Sequence, residues 1–389
     1  TAVGNETLYT FNADTANDGY NVAVGHRSLF ALTTGQYNTA IGSFTNYTNT
    51  VGSNNVSLGY QAAYFPTGSN NVWVGYKAGY GASATNAYSN TAVGYEALMA
   101  VTTGYENIAI GRAAATNVTT ANRNIFIGRS AGSAVTTTSE FNIIIGSGSV
   151  SANDIGNNNT VIGGGINVKA ALAETVIVGQ AAGAGVSGSN STFVGFSAGN
   201  ATNSGNDLTA LGHGTLRTNT GSYNTAVGRG AMGDGAGDGG ANCAVGVRSL
   251  QAVSTGDRNV AVGNYGLSQV STHNDNTSVG DEAGKYINSS NNTIIGSRAG
   301  EKLDGTNNGN GSNTIVGAWA GRGDSDGFYG GYNVIMGAYA MGAAALANSN
   351  SNVAIGYKAA SGATSMVDNV VIGDKAGMSM TSASYNTFI

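Results

Sequence analysis

The chain of 389 residues contains one proline, one cysteine and only 10% charged residues. A single cysteine excludes a disulfide framework and any multi-cysteine metal site. No apolar run approaches the roughly 18 residues of a membrane-spanning helix, and no secretory-signal pattern opens the chain, so membrane insertion is not expected. The formal net charge of −5 is dispersed, with no basic run to meet a phosphate backbone, which argues against a nucleic-acid partner. What is abundant is glycine, at 62 residues against a usual share of about 7%. Without prolines or an every-third-residue period this is not collagen. The low charge and the many β-branched residues argue equally against disorder.

The glycines are periodic. A phrase of Asn, a β-branched residue, a small or apolar residue, an aliphatic residue and Gly recurs from end to end, as in Asn38-Thr39-Ala40-Ile41-Gly42 and Asn124-Ile125-Phe126-Ile127-Gly128. Its closing glycine occurs 22 times from Gly4 to Gly373, at a mean step of 17.6 residues. Thr1-Ala2-Val3-Gly4 lacks the Asn and Asn386-Thr387-Phe388-Ile389 lacks the Gly, so residues 1–389 read as one continuous array cut from a longer chain. Glycine costs about 1 kcal/mol at each interior helix position, and no 3.6-residue pattern survives here. Each repeat therefore reads as one coil of an all-β parallel solenoid or β-roll, about 22 coils of ~17 residues. A coil would hold a main strand, a corner, a shorter strand and a glycine turn. The short Asn amide suits the corner, where stacked coils would align these side chains in a hydrogen-bonded ladder.

The phrase alternates as a strand does, with successive side chains on opposite faces. The residue after Asn is Thr, Val, Ile or, once, Cys243, and the residue before Gly is Val, Ile, Leu or Met. These two are expected to form the core, with Ile127 as an inward example. The residue between them is Ala in ten copies, Ser in two, and otherwise Ile, Val, Phe or Trp. It would be polar if its face met water. The expectation is that this middle stripe packs against further copies of the chain. Its size changes in blocks, mainly Ala before Gly111 and large from Phe126 to Phe193, which would let chains approach and then spread along a common axis.

The compound phrase Leu-x-x-x-Thr-Thr-Gly-x-x-Asn-Thr-Ala-(Val/Ile)-Gly, at Leu29 to Gly42 and nearly so at Leu98 to Gly111, resembles repeats of bacteriophage tail-fibre and tail-spike proteins. In many of these the repeats precede a self-cleaving chaperone domain of the endosialidase type. The Asn-x-Ala-Ile-Gly core is also similar to head repeats of trimeric autotransporter adhesins, which form a left-handed parallel β-roll, although those repeats are nearer fourteen residues. The phage resemblance implies a structural segment of a homotrimeric viral tail fibre in the virion, carrying or presenting host-receptor binding. The autotransporter resemblance implies an adhesin head on the bacterial cell surface. A protein or glycan of the host surface is the partner either way.

Catalytic, cofactor and metal sites are not expected. His26, His213 and His273 lie far apart without ligand spacing, and Cys243 reads as a buried thiol in a core slot. Arg322-Gly323-Asp324-Ser325 matches the integrin-binding tripeptide, and Gly233 to Gly240 and Asp324-Ser325-Asp326-Gly327 faintly resemble calcium loops, but a chain rich in Gly, Asp and Ser gives such matches by chance. The variable corner after the glycine is more informative. Tyr60, Tyr76, Tyr95, Trp319, Tyr339 and Tyr357 stand there among Arg and Lys residues as binding candidates for surface sugars. The plainer reading is that they stack on one another and cover coil edges. An ice-binding solenoid would need a flat outward Thr array, and Thr fills only 11 of 23 copies of its slot, on the face assigned to the core. A polysaccharide-cleaving spike would need converging carboxylates, and no repeat breaks pattern to supply them.

Overall fold

The computed structural model describes residues 1–11, 19–82, 86–137, 139–150, 155–168, 172–200, 204–303, 311–323, 327–328, 330–342 and 349–389. None of these is helical. The chain divides into two compact units, Thr1–Asn190 and Ser191–Ile389, and the repeat runs through both. Each unit is a parallel β-solenoid. The first stacks β1 (Ala2–Val3) to β11 (Val176–Val178), one short strand per repeat, every neighbouring pair parallel. The second runs from β12 (Thr192–Val194) to β25 (Thr387–Phe388) in the same way, with an additional parallel pair formed by β22 (Ser365–Val367) and β24 (Ser382–Ser384).

Register follows the phrase residue for residue. Val22 pairs with Thr39 and Thr39 with Val56, while Ala23, Ala40 and Ser57 form the next column and Val24, Ile41 and Leu58 the third. The closing glycine ends the strand for a steric reason. Gly42 has φ +136°, and a Cβ there would sit 2.5 Å from the carbonyl oxygen of Gly59 in the following coil. Only a residue without a side chain can occupy that column.

The shorter second strand expected in each coil is absent from most of the described coils. Beyond the glycine, alternate residues take positive φ, as at Arg27 (+54°) and Leu29 (+49°), or Phe44 (+55°) and Asn46 (+54°). Their amides still bond between coils: Phe44 N–H donates to His26 O (2.8 Å) on one side and Asn46 N–H to Ala62 O (2.9 Å) on the other. Left-handed backbone costs an L-residue roughly 1–2 kcal/mol, more when it is β-branched. Among the described non-glycine residues with positive φ, Val150 alone is β-branched. That exclusion of Val, Ile and Thr is how the sequence accommodates a turn-built wall.

The structure reverses the expected faces. Middle residues of the phrase, such as Ala23, Trp73, Phe126 and Ile335, are completely buried inside their own coil. The flanking residues point outward: β8 (Ile125–Ile127) buries Phe126 and leaves Ile125 and Ile127 half-exposed. The size blocks have an internal explanation. Six residues after the middle residue, the chain returns to the same interior, and in several coils it does so with a side chain of compensating size. Ala23, Ala92 and Ala210 face Leu29, Leu98 and Leu216, whereas Trp73, Phe126 and Phe193 face Gly79, Gly132 and Gly199. A Cβ on Gly79 or Gly132 would lie 2.1 or 2.2 Å from the aromatic ring it faces. In these coils a large side chain on one wall meets a small one on the other, as close packing demands.

Candidate binding surfaces

The expected asparagine ladder is present at the corner before the strand. Asn107 shows its geometry. Its backbone N–H and its Nδ2 both donate to Asn90 Oδ1 (3.0 and 3.1 Å), and Nδ2 also donates to Ala121 O (2.8 Å). Its own Oδ1 accepts from the N–H and Nδ2 of Asn124 (3.1 and 3.2 Å). The ladder is buried, so these amides specify register rather than bind a ligand. Its departures fall together, at Thr175, Ser191 and Leu208. Thr175 still donates its N–H to Asn159 Oδ1, and Leu208 N–H still donates to Ser191 Oγ. The Leu208 side chain, however, offers no acceptor to the next coil.

Beside the ladder lies the outer strand face. In each unit it carries two columns, Thr, Val or Ile after the asparagine position and Val, Ile, Leu or Met before the glycine, with no charged member. Ile41, Ile110, Leu211 and Ile295 remain about 40% exposed. Cys243, expected in the core, belongs to this face and is half-buried. The Thr slot of the ice-binding comparison also points outward, so the objection drawn from its face no longer stands; the broken Thr pattern does.

Aromatic residues decorate the corner after the closing glycine in each unit. In the first unit, Tyr60, Tyr76 and Tyr95 stack in line, with centroids 5.7 and 5.0 Å apart and rings within 16° of parallel. A second stack runs Tyr9, Phe30, Tyr47, Tyr64, Tyr80 at spacings of 4.9 to 5.2 Å. Lys77 joins the two, its ammonium 5.4 Å from the Tyr76 ring and 5.2 Å from that of Tyr80. In the second unit Arg298 and Arg322 lie over Trp319, at 4.9 and 4.2 Å from the ring centre. Trp319 stacks on Tyr339 at 6.1 Å, and Tyr357 meets Tyr339 edge-on, with Lys358 5.3 Å from the Tyr357 ring. Ring faces are thus spent on neighbouring rings and cations, and mostly edges and phenol groups are left for a sugar. The six candidates fall into two groups of three, one in each unit.

Charged side chains pair between coils. Arg27 with Glu6, Arg123 with Glu106, Arg258 with Asp275 and Arg298 with Glu282 are examples. Apart from Glu282, these side chains are more than a third exposed, and such pairs add little stability each. The Glu282 carboxyl is held below its ordinary pKa, first by the hydrogen bond from Lys285 (2.8 Å). Burial pushes the pKa of His273 down. His26 meets Phe44 edge-on at 5.1 Å and His213 stacks on Phe196 at 5.2 Å. Sequence reasoning did not single out one further cluster, formed by His213, Arg217, Arg229 and Arg248 around a cavity. Its signal was available: Gly214 and Gly230 take the second place after the closing glycine in two successive coils, where most coils carry a side chain.

Asp324, Ser325 and Asp326 lie outside the described residues. Arg322 is engaged with Glu301 at 3.0 Å as well as with Trp319. Among the described residues no group of three or more His, Cys, Asp and Glu could hold a metal ion, and no helix is long and apolar enough to cross a membrane. No protein-family model, curated protein or solved structure matches the chain.

Proposed function

We propose that this chain is a structural segment of an extended viral tail fibre, in which three copies associate through their outer strand faces and the assembly carries or presents host-receptor binding. One observation carries the association: two uncharged, largely aliphatic columns lie side by side on each unit, exposed to water in the single chain. Contiguous apolar surface of this kind is unusual on a monomer and marks a docking face. Full burial of a Val, Leu or Ile side chain contributes roughly 1.5–3 kcal/mol, so covering the two fifths still exposed at the most exposed members, such as Ile110 and Leu211, adds about 0.6–1.2 kcal/mol each, and less at the half-buried ones. The copy is the natural occupant because the face repeats at the spacing of the coils, and symmetric packing matches each row of one chain with the same row of the next. The number three comes from the resemblance of the repeats to tail-fibre and autotransporter proteins.

Light scattering on the purified chain tests this. The expected mass is three times 38.8 kDa. Replacing Ile110 with Lys on the outer face should dissociate the assembly while leaving the circular dichroism of the solenoid intact. A monomer at micromolar concentration, or an assembly indifferent to Ile110→Lys and to the matching change at Val262, would overturn the proposal. The adhesin reading has the same architecture and differs in location, on the bacterial envelope rather than the virion, which fractionation with an antibody decides. The outward Thr column is the one feature that favours ice binding, and thermal hysteresis of the same preparation decides that.

A further inference from the structure

In most coils the second residue after the closing glycine bears a side chain that covers the corner. Gly214 and Gly230 leave two successive positions of the second unit bare. A Cβ on Gly214 would meet nothing within 4 Å, and one on Gly230 only Arg248 Cγ at 3.5 Å. The result is a half-open cavity of about 160 Å³, bordered by His213, Arg217, Arg229, Asp234, Arg248 and Gln251. Three guanidinium groups face one carboxylate, in a chain whose net charge is −5.

That carboxylate is already engaged. Asp234 accepts from Arg217 Nη2 at 3.1 Å on one oxygen and from Gln251 Nε2 on the other. Arg248 is oriented by Tyr265, donating from Nη1 to the phenol oxygen at 3.1 Å with its guanidinium 5.7 Å from the ring centre. Neither Arg229 nor Arg248 has a carboxylate oxygen within 4.0 Å among the described residues, whereas Arg27, Arg123, Arg217, Arg258, Arg298 and Arg322 all do. Of the four described arginines without such a partner, Arg112, Arg129, Arg229 and Arg248, two border this cavity, beside the paired Arg217.

We propose that this cavity binds the anionic group of an acidic saccharide, a sugar carboxylate or sulfate ester. Arg229 and Arg248 supply the forked donors that match such oxyanions. The bare floor at Gly214 and Gly230 lets a sugar ring approach the backbone, and the volume suits one sugar residue rather than an oligosaccharide. The choice of a saccharide rests on the reading of the chain as a host-binding fibre; the anion chemistry does not.

The test titrates the full chain with sialyllactose, sulfolactose, lactose and sodium sulfate, following saturation-transfer NMR and calorimetry. Either or both acidic sugars should bind, weakening with salt, and lactose should not; the two acidic arms separate carboxylate from sulfate. Arg229→Gln should weaken binding about tenfold, as loss of one charge-assisted fork implies. Gly214→Phe should abolish it with every arginine in place. Gly148→Phe, at an equivalent open position of the first unit, should leave it unchanged. Binding of lactose equal to that of the acidic sugars, binding of sodium sulfate alone, or full binding by folded Arg229→Gln protein would overturn the proposal. Light scattering keeps the two readings apart: a monomer that binds acidic sugar removes the fibre and keeps the cavity, and a trimer that binds none does the reverse.

Discussion

Exchanging the large and small partners across one coil tests the interior assignment directly. Phe126 fills the inside of its coil opposite Gly132, and two coils earlier Ala92 faces Leu98 in the same geometry. Phe126→Ala alone removes a completely buried ring and leaves its cavity, at a cost of about 3–5 kcal/mol. Gly132→Leu alone places a Cβ 2.2 Å from Phe126 Cδ1 and should cost at least the 1–3 kcal/mol typical of overpacking. The double variant recreates an Ala–Leu pair. Its backbone is already suited to it, because Leu98 has φ +48° and Gly132 +58°. The double variant should therefore lie within about 1.5 kcal/mol of the parent, as volume-conserving swaps do. Stacked coils can open locally, so the assay is hydrogen exchange at the amides of residues 125–149 alongside the thermal melt. Independent sites add to within about 0.5 kcal/mol. If the two single effects simply add in the double variant, the two residues do not share an interior and the argument fails.

The same pair shows what was legible in the sequence. Strand, parallel stacking, register and the asparagine ladder all follow from the phrase, because a repeat places identical residues in one column. The inward face did not follow. Pattern reasoning finds a core by contrast between polar and apolar positions, and here both faces are apolar. Branched residues such as Ile125 and Ile127 looked like core and Ala like contact surface. The contrast that settles the matter is one of volume, Ala23 with Leu29 against Phe126 with Gly132, and it is visible in sequence only as a correlation six residues apart. The turn-built wall was hidden because residues as different as Arg27 and Leu29 adopt positive φ there. The Tyr60, Tyr76, Tyr95 stack was legible, since one column holds all three. The arginine cavity was not, since Arg217, Arg229 and Arg248 come from three different places in their repeats and meet only when the coils stack.

Four further outcomes are expected. Asn46 points inward opposite Ala40 and its Nδ2 has no partner, so Asn46→Leu, which copies the Ala23–Leu29 pair, should raise stability by about 1–3 kcal/mol in a denaturant melt. Phe126→Asp should unfold its coil whereas Ile127→Asp should chiefly impair association, and equal loss of circular dichroism would contradict the faces. Glu282 has a lowered pKa, so the stability it contributes is complete above its unfolded pKa and is lost as pH falls through the folded value; His273, lowered by burial, opposes folding as pH falls below its ordinary value. Melting of the second unit should fall on acidification, and Glu282→Gln should flatten the lower part of that fall. The last concerns the ladder. Asn107→Ala strips both donated bonds from Nδ2 and the acceptor shared by Asn124 N–H and Nδ2, all within a completely buried corner. At least the Asn124 N–H and the Ala121 carbonyl lose a partner, and each unsatisfied buried group costs about 1–3 kcal/mol, so the loss should reach roughly 2–6 kcal/mol. Asn107→Asp keeps the acceptor for Asn124 but sets a carboxylate against Asn90 Oδ1 and the Ala121 carbonyl, and should recover part of the loss only at a pH low enough to protonate it. A loss below 1 kcal/mol on Asn107→Ala, read from exchange at the Asn124 amide, would mean that register is held by strand packing and that the ladder merely follows it.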